Sequence, residues 1–328
     1  MKQILVTGGA GYIGSHVVKL LAERGYEPVV YDSLENGFRD FVRGFELVEG
    51  DIGDREKLIT LFNDRGIECV MNFASYIAVG ESVQRPLKYY ENNAAKTLEL
   101  FRAMLAAGVK RFIFSSTAAV YGYPEEVPIR EDTALKPINP YGRTKLFIED
   151  VLRDLDASDS FRSISLRYFN AAGADPSGTI GESHVPETHL IPLALRAVMD
   201  GDYALSIFGT DYNTPDGTCV RDYIHVNDLA DAHIRALEDL LGNDTTKVFN
   251  LGNGRGFSVR EVVDAVKRVT GKAPRVKEGP RRAGDPDVLV ASSEKARGEL
   301  GWKPEFADID RIVDTAWRWE RQGKRKGW

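Results

Sequence analysis

Hydrophobic and polar positions along the first thirty residues predict a strand, a helix and a second strand. The apolar run Gln3–Thr7 is typical of a strand buried in a parallel sheet. From Ile13 to Leu21 the apolar residues recur at helical spacing, and Gly25 then ends the helix. Residues 28–32 predict the next strand. Together these segments predict a βαβ unit.

The same alternation continues through the first half of the chain. Further strands are predicted at residues 69–73, 111–115 and 163–168. One helix is predicted at residues 98–105, and another begins near Pro140. Strands that alternate with helices in this way predict an α/β fold with a Rossmann-type doubly wound parallel sheet.

The pattern changes after Tyr168. A loop rich in glycine, proline and small residues occupies residues 170–192, and the elements that follow are shorter. A strand and a helix are predicted within residues 223–241. We therefore expect a first domain at residues 1–169 and a smaller mixed α/β domain at residues 170–328. The segment near 223–241 is expected to pack back on the first domain.

Composition is typical of a soluble globular protein, because 43% of the 328 residues are hydrophobic and 28% are charged. The net charge of −6 argues against nucleic-acid binding, which needs a basic face. No apolar run approaches the ~18 residues of a membrane span, and Met1 and Lys2 lead into a strand rather than a signal peptide. Cys69 and Cys219 suit a reducing compartment, so we expect a cytoplasmic protein. An enzyme fits this composition, and so does a structural scaffold.

A glycine motif lies directly between the first strand and the first helix. Gly8, Gly11 and Gly14 allow a tight turn and let a pyrophosphate approach the helix N-terminus without interference from a Cβ. Asp32, at the end of the second strand, can accept hydrogen bonds from ribose hydroxyls and would repel a 2′-phosphate, which favours NAD over NADP. The alternative is a glycine-rich turn that only packs the helix on the sheet. The strand, the helix and Asp32 together favour dinucleotide binding.

A second candidate site combines Tyr141 and Lys145, which lie one turn apart on the helix that begins near Pro140. A phenol with a pKa of ~10 is a poor base at neutral pH, but a nearby ammonium and a nicotinamide cation favour the tyrosinate. Tyr141 can then take a proton from a sugar hydroxyl. Thr117, at the end of a strand, can hydrogen-bond the reacting oxygen or only satisfy backbone groups in the turn. The alternative for Tyr141 and Lys145 is an ordinary helix face, and the glycine motif favours catalysis.

Two further signals are weak. Asp51 and Ile52 follow a short strand. The Asp51 carboxylate can hydrogen-bond an adenine amino group, and Ile52 can pack on the adenine ring. Asp51 can equally be a helix N-cap. His16, His225 and His233 have no ligand spacing to a cysteine or a second histidine, which predicts no metal site.

The glycine motif with Tyr141-x-x-x-Lys145 resembles the extended short-chain dehydrogenase/reductase family, whose members act mostly on nucleotide sugars. Longer segments narrow the resemblance to the 4-epimerases of UDP-hexoses, over residues 1 to about 302. These segments are AVGES at 78–82, LRYFN at 166–170, PETHLIP at 186–192 and DGTCVRDYIHV at 216–226.

The resemblance implies an isomerase that interconverts UDP-glucose and UDP-galactose by transient oxidation at C4 with tightly bound NAD. It implies that Tyr141 takes the proton of the C4 hydroxyl, that Thr117 steers this proton and that Lys145 holds the nicotinamide ribose. Because relatives commonly dimerise, it also implies a homodimer. The cofactor positions that it implies are Gly8, Gly11, Tyr12, Ile13, Gly14, Asp32, Ser33, Asn36, Asp51, Ile52, Phe73, Ala74, Ser75, Asn92, Ser115, Tyr141, Lys145 and Tyr168. The UDP-sugar positions that it implies are Thr117, Tyr141, Phe169, Asn170, His189, Leu190, Ser206, Phe208, Arg221, Tyr223, Arg282, Asp285 and Leu289.

Three positions depart from the family pattern. Ile77 replaces a lysine that often contacts the cofactor, and His189 replaces an asparagine. Leu289 falls where the size of the side chain is thought to gate N-acetylated sugars, so its intermediate size implies partial acceptance of UDP-N-acetylglucosamine.

Three alternatives to this activity differ in what they require. A sugar-nucleotide 4,6-dehydratase needs an acid and a base beside Thr117, where this chain has Ala118 and Ala119. A 4-epimerase of another UDP-sugar, such as UDP-glucuronate, differs only in contacts at C2 and C6. A non-enzymatic dinucleotide sensor has no need of Tyr141 and Lys145.

Overall fold

The computed structural model describes residues 1–282 and 285–323. Its strands, in chain order, are β1 (Gln3–Thr7), β2 (Glu27–Asp32), β3 (Glu46–Glu49), β4 (Ile67–Asn72), β5 (Arg111–Thr117), β6 (Arg162–Tyr168), β7 (Asn170–Ala172), β8 (Leu205–Phe208), β9 (Val220–His225), β10 (Lys247–Leu251), β11 (Gly256–Ser258), β12 (Val276–Gly279) and β13 (Val288–Leu289). Its helices are α1 (Tyr12–Glu23), α2 (Arg55–Asp64), α3 (Val79–Gln84), α4 (Pro86–Tyr89), α5 (Lys96–Ala106), α6 (Pro140–Asp159), α7 (Leu190–Met199), α8 (Val226–Asn243), α9 (Val259–Thr270), α10 (Glu294–Glu299) and α11 (Ile309–Arg321). A π-helical turn, Tyr90–Ala95, joins α4 to α5.

The main sheet has seven parallel strands in the order β10-β6-β5-β4-β1-β2-β3. This order confirms the predicted doubly wound α/β fold. From β1 the chain builds outward to β2 and β3 on one side and to β4, β5 and β6 on the other. In open sheets of this kind, ligands bind at the carboxyl ends of the strands, in the crevice where the order reverses. That crevice lies between β1 and β4.

Both faces of the main sheet are covered by helices, which is why its central strands β1 and β4 are mostly apolar. Along β1 the side chains alternate, so that Ile4 and Val6 pack on one face and Leu5 packs on the other. The first face is covered by α1 and α8, and the second by α2, α5 and α6. Two continuous cores thereby fix the strand ends relative to the helices that carry candidate site residues.

Part of the chain beyond residue 170 returns to the main sheet. Helix α8 contributes Leu229, Ile234 and Leu237 to the core that α1 also lines, and β10 pairs with β6 at the edge of the sheet. Helix α8 covers most of the segment 223–241, and it packs on the main sheet as that segment was expected to do. The division of the chain at residue 169 stays a prediction.

The smaller sheets surround a third core. Strand β9 pairs with β11, β13 and β7, and β8 pairs with β12. Helices α7, α9 and α11 pack together beside them. The sequence predicted a loop up to Pro192, but α7 begins at Leu190, because a proline in the first helical turn sacrifices no hydrogen bond of the helix. Among the residues that the structure describes, no helix has the length and apolarity to cross a membrane.

Candidate active site

The glycine motif brings the start of α1 against the turn after β1. A Cβ built on Gly14 would lie 2.3 Å from the carbonyl oxygen of Gly8. A Cβ on Gly8, whose φ is +71°, would lie 2.5 Å from the backbone nitrogen of Ala74, just beyond β4. Gly11 precedes α1 and brings no capping side chain, so the first turn of the helix can present backbone N–H groups to a phosphate. This cradle fits a dinucleotide pyrophosphate.

Asp32 is buried at the carboxyl end of β2 and braces the same turn. One carboxylate oxygen accepts from the backbone N–H of Ala10 at 2.9 Å, and the other accepts from Leu34 at 2.8 Å. Burial raises the pKa of Asp32, and these two hydrogen bonds oppose the rise. Each oxygen keeps a second lone pair, so the carboxylate can also accept from ribose hydroxyls as predicted.

For Asp51, one of the two sequence interpretations is wrong. Asp54, not Asp51, caps α2, because its side chain accepts from the backbone N–H of Lys57 at 3.1 Å. Asp51 instead accepts from the N–H of Gly53 at 2.7 Å and forms an ion pair with Lys96 at 2.5 Å. A contact from Asp51 to adenine stays a prediction.

The start of α6 holds the predicted catalytic pair. Asn139 caps the helix by accepting from the N–H of Gly142 at 2.8 Å. Tyr141 and Lys145 then follow one turn apart, and both are buried. The ammonium of Lys145 donates to the carbonyl oxygen of Ser115 on β5 at 2.8 Å and lies 5.9 Å from the centroid of the Tyr141 ring.

Thr117 ends β5 beside this pair, and the structure bears out its contact with the turn, whereas a hydrogen bond to the reacting oxygen stays a prediction. Its hydroxyl oxygen accepts from the backbone N–H of Ala119 at 3.1 Å, which satisfies the turn. Its side chain is also hydrogen-bonded to the phenol of Tyr141. The structure therefore brings Tyr141, Lys145 and Thr117 together at the carboxyl end of β5.

The electrostatics of the pair differ from the sequence expectation. Burial raises the pKa of Tyr141, and the hydrogen bond with Thr117 only partly opposes it. Burial also lowers the pKa of Lys145 to about 7, against the attraction of Glu149. Burial disfavours the charged form of both groups, so the attraction of the Lys145 ammonium and of the nicotinamide for a tyrosinate must act against this desolvation.

Sequence reasoning missed Glu149, which lies one turn beyond Lys145 on the same face of α6. Its carboxylate accepts from the hydroxyl of Ser116 at 2.5 Å and forms a buried ion pair with Arg167 at 2.5 Å. Tyr121 also accepts from Arg167 at 2.8 Å. These hydrogen bonds and this ion pair hold α6 against β5 and β6. The repeat of four residues from Tyr141 to Lys145 to Glu149 was the signal that could have found it.

The remaining cofactor positions lie at or beyond the carboxyl ends of the main strands. Tyr168 ends β6, and its phenol is hydrogen-bonded to the hydroxyl of Ser115. Tyr12, the first residue of α1, donates to the carbonyl oxygen of Gly173 at 2.6 Å. Ile77, the departure noted above, is exposed. The others occupy α1 (Ile13), the loop after β2 (Ser33 and Asn36), the turn after β3 (Ile52), the turn after β4 (Phe73, Ala74 and Ser75) and the π-helical turn (Asn92).

Apart from Thr117 and Tyr141, the predicted UDP-sugar positions form small groups in the second half of the chain. Asn170 on β7 pairs with Tyr223 on β9 and donates to the carbonyl oxygen of Asp222 at 3.1 Å. Arg221 forms an ion pair with Asp285. The other positions lie on β8 (Ser206 and Phe208), before and at the start of α7 (His189 and Leu190), on β13 (Leu289) and just beyond β6 (Phe169).

Arg282, which was predicted to bind the UDP-sugar, and its neighbour Arg281 have different surroundings. Arg281 pairs with Asp211 at 2.7 Å. The guanidinium of Arg282 instead lies over the ring of Phe208, 4.2 Å from its centroid. Arg282 and Phe208, both predicted substrate residues, are thus in contact.

Four side chains in the loop before α7 could hold a metal ion. One ligand atom from each of Glu182, His184, Glu187 and His189 lies within 4.8 Å of the others. Sequence spacing among His16, His225, His233 and the cysteines predicted no metal site, and that expectation, made without considering these four side chains, stays a prediction. The pattern Glu-x-His-x-x-Glu-x-His was the signal that could have found the cluster.

The fold and this site define a nicotinamide-dependent enzyme with a tyrosine and a lysine at its centre. Residues 4–252 match the NAD dependent epimerase/dehydratase family, and the chain belongs to that family. This membership confirms NAD as the predicted cofactor.

The similarities to individual proteins extend over almost the whole chain. The UDP-glucose 4-epimerase of Rhizobium meliloti is 49% identical over 324 residues, which are 99% of this chain and 98% of that protein. The UDP-glucose 4-epimerase of Azospirillum brasilense is 51% identical over 320 residues, 97% of this chain and 92% of that protein. Among solved structures, UDP-glucose 4-epimerase from Brucella ovis in complex with NAD superposes with a TM-score of 0.94 at 48% identity, covering 97% of this chain and 98% of that one. These relatives confirm the resemblance to the 4-epimerases of UDP-hexoses.

The glycine cradle gives a test of cofactor binding. In a Gly14→Ala variant the new methyl group would collide with the Gly8 carbonyl, so α1 must move away from the pyrophosphate. We expect NAD affinity to fall by about tenfold or more, equivalent to about 1.4 kcal/mol. Titration of NAD onto the cofactor-stripped protein measures this. Gly242→Ala is the control, because a Cβ at that position on α8 meets nothing within 4 Å. Equal affinities in the two variants would contradict the assignment.

Proposed function

We propose that this chain is a UDP-glucose 4-epimerase that interconverts UDP-glucose and UDP-galactose. The observation that carries the proposal is the meeting of Tyr141, Thr117 and Lys145 beside the glycine cradle. The similar proteins named UDP-glucose 4-epimerase support the choice of substrate. A 4-epimerase of UDP-N-acetylglucosamine or UDP-glucuronate is the alternative within the same chemistry.

NAD, when bound, supplies a hydride acceptor and donor at its nicotinamide ring. Tyr141 takes the proton from the C4 hydroxyl of the sugar and later returns it. Thr117 hydrogen-bonds the phenol and steers this proton. Lys145 holds the nicotinamide ribose, and its bond to the Ser115 carbonyl fixes the ammonium. The 4-keto sugar must turn over within the site, so that its other face is reduced.

Turning over the sugar requires that the UDP half stays fixed. Arg221 and Arg282 are suited to this, because a guanidinium binds phosphate oxygens with two parallel hydrogen bonds. Asp285 orients Arg221 through their ion pair, and the ring of Phe208 packs against the guanidinium of Arg282. The nucleotide is thereby anchored on the smaller sheets, while Tyr141 reaches the sugar from α6, which packs on the main sheet.

Epimerisation is favoured over 4,6-dehydration by the residues that follow Thr117. Ala118 and Ala119 lie in a 3₁₀ turn directly after it, and neither can move a proton. Dehydration needs an acid and a base at that end of the sugar to eliminate water. A dinucleotide sensor without catalysis would not require a buried tyrosine and lysine at this position.

Replacing the base tests the mechanism. Tyr141→Phe keeps the ring and removes the phenol oxygen, so the fold and NAD binding should survive while turnover of UDP-galactose falls by ~10²–10⁴. Proton NMR of UDP-glucose formation measures the rate. Tyr123→Phe, on an exposed ring, is the matched control and should keep full activity. Near-normal turnover by Tyr141→Phe would rule out this residue as the base. NAD binding without conversion of UDP-galactose by the wild type would favour another UDP-sugar.

The range of sugars is expected to depend on Leu289. This residue pairs in register with Arg221 and packs against the small core around Tyr121, together with Phe169. We propose that the wild type accepts UDP-N-acetylglucosamine in part, because a leucine is smaller than a tyrosine. Leu289→Tyr should lower turnover of that sugar by about tenfold relative to UDP-glucose, the scale of a pocket contact. Absence of UDP-N-acetylglucosamine turnover in the wild type, beside rapid UDP-glucose turnover, would remove this claim.

We also propose that the protein forms a homodimer. Leu87, Tyr90 and Phe147 are exposed apolar side chains on α4, the π-helical turn and α6. A second copy would cover them. We expect the wild type to sediment as a dimer and a Leu87→Arg/Phe147→Arg double variant to sediment as a monomer. Val276→Arg, at an exposed valine on β12, should leave the dimer intact. A monomeric wild type would disprove this part.

Location in a reducing compartment such as the cytoplasm is also part of the proposal. Cys69 and Cys219 are both buried and form no disulfide. Burial raises the pKa of both thiols, which keeps them protonated and unreactive.

A further inference from the structure

The loop after β2 and the loop after β4 are joined by a hydrogen bond between side chains. The phenol oxygen of Tyr76, beyond β4, lies 2.7 Å from Oε1 and 2.8 Å from Oε2 of Glu35, beyond β2. Both β2 and β4 pair with β1, so the two loops stand on either side of the turn that follows β1. Neighbouring strands are about 4.8 Å apart, so the loops begin about 10 Å from each other. The bond therefore spans the turn that forms the glycine cradle.

Tyr76 is held from several sides on its own loop. Its backbone N–H donates to the side-chain oxygen of Asn93 at 2.9 Å, and its carbonyl oxygen accepts from the side-chain nitrogen of Asn93 at 2.9 Å. Asn93 is buried in the π-helical turn. The ammonium of Lys88 lies over the Tyr76 ring, 4.2 Å from its centroid. Because these contacts already fix the ring, little side-chain entropy is lost when its phenol binds Glu35.

The backbone before Glu35 is strained. Leu34 has a φ of +60°, in the left-handed region that a leucine rarely adopts. Its N–H donates to the carboxylate of Asp32 at 2.8 Å, which holds this conformation. Such strain persists only where the surrounding structure holds it, and it is concentrated at ligand sites. The strained residue links the position of Glu35 to that of Asp32, the carboxylate that fits the cofactor ribose.

A dinucleotide in the glycine cradle has to pass between these two loops. In this fold the pyrophosphate lies at the N-terminus of α1, and the adenosine ribose lies at the acidic residue that ends β2, here Asp32. The nicotinamide end has to reach Tyr141, near the end of β5, on the opposite side of β1 in the sheet. Both loops also carry expected cofactor positions, which are Ser33 and Asn36 after β2 and Ser75 after β4.

We propose that Tyr76 and Glu35 form a clasp over the adenosine half of NAD and slow its release. The clasp is the hydrogen bond from the phenol to the carboxylate, and NAD leaves only when this bond breaks. Hydrogen bonds to an ionised acceptor are stronger than those between neutral groups. Burial raises the pKa of the Tyr76 phenol, and so does the bond to Glu35, so the phenol keeps its proton and remains the donor. The proposal concerns NAD alone and does not depend on which UDP-sugar the enzyme accepts.

The rate of NAD release from the full-length holoprotein tests the clasp. Protein loaded with isotope-labelled NAD is chased with unlabelled NAD, and mass spectrometry follows the label that remains bound. Tyr76→Phe and Glu35→Ala should each release NAD about tenfold faster than the wild type, equivalent to about 1.4 kcal/mol. The double variant should release it no faster than either single variant, because both changes remove the same bond. Tyr123→Phe and Glu126→Ala, at exposed positions, are the matched controls and should release NAD as the wild type does.

ADP-ribose locates the effect within the cofactor. This probe has the adenosine and the pyrophosphate but no nicotinamide, so the two single variants should release it faster by the same factor as NAD. Unchanged or slower release of NAD by both single variants would overturn the proposal. Rates that multiply in the double variant would also overturn it, and so would unchanged release of ADP-ribose.

Two features keep the test independent of other failures. The Glu35 side chain is exposed, so Glu35→Ala should keep the fold even where Tyr76→Phe does not, and its release rate then decides the outcome. None of these measurements uses turnover of a UDP-hexose. An enzyme inactive toward UDP-galactose would therefore leave the result unaffected.

Discussion

The arrangement of the site depends on how closely α1 approaches the turn after β1. Gly14 lies so near the carbonyl oxygen of Gly8 that no side chain larger than hydrogen fits between them. That approach aims the N-terminus of α1 at the carboxyl edge of the sheet, in the crevice between β1 and β4. Asp32, Thr117 and Tyr141 reach the same edge from other elements, so each functional group is positioned relative to one turn.

Local signals were enough to predict the elements nearest to this turn. The apolar run of β1, the helical spacing of α1 and the glycines between them each specify their own conformation, and α6 begins as predicted at Pro140. The α/β fold follows because strands and helices alternate with few exceptions. The resemblance of longer segments then narrowed the chemistry further than these patterns could, and the similar proteins confirm it.

What could not be predicted depends on contacts between distant parts of the chain. No local pattern shows that Asp32 accepts from Ala10 or that Arg167 meets Glu149. Burial is the main cause of the pKa shifts of Tyr141 and Lys145, and only the packed structure reveals it. The same holds for the loop before α7, where the folded backbone brings side chains together that sequence spacing alone left unremarked.

The path of the chain between its sheets has an evolutionary consequence. Strand β6 of the main sheet leads to β7 of the smaller one, β9 leads back through α8 to β10, and β10 leads out again to β11. Three covalent crossings therefore connect the main sheet to the smaller sheets. No single contiguous stretch of the gene encodes either part, so recombination cannot exchange one as a cassette. New specificities on this scaffold must arise by point substitution and loop variation, with the crossings left intact.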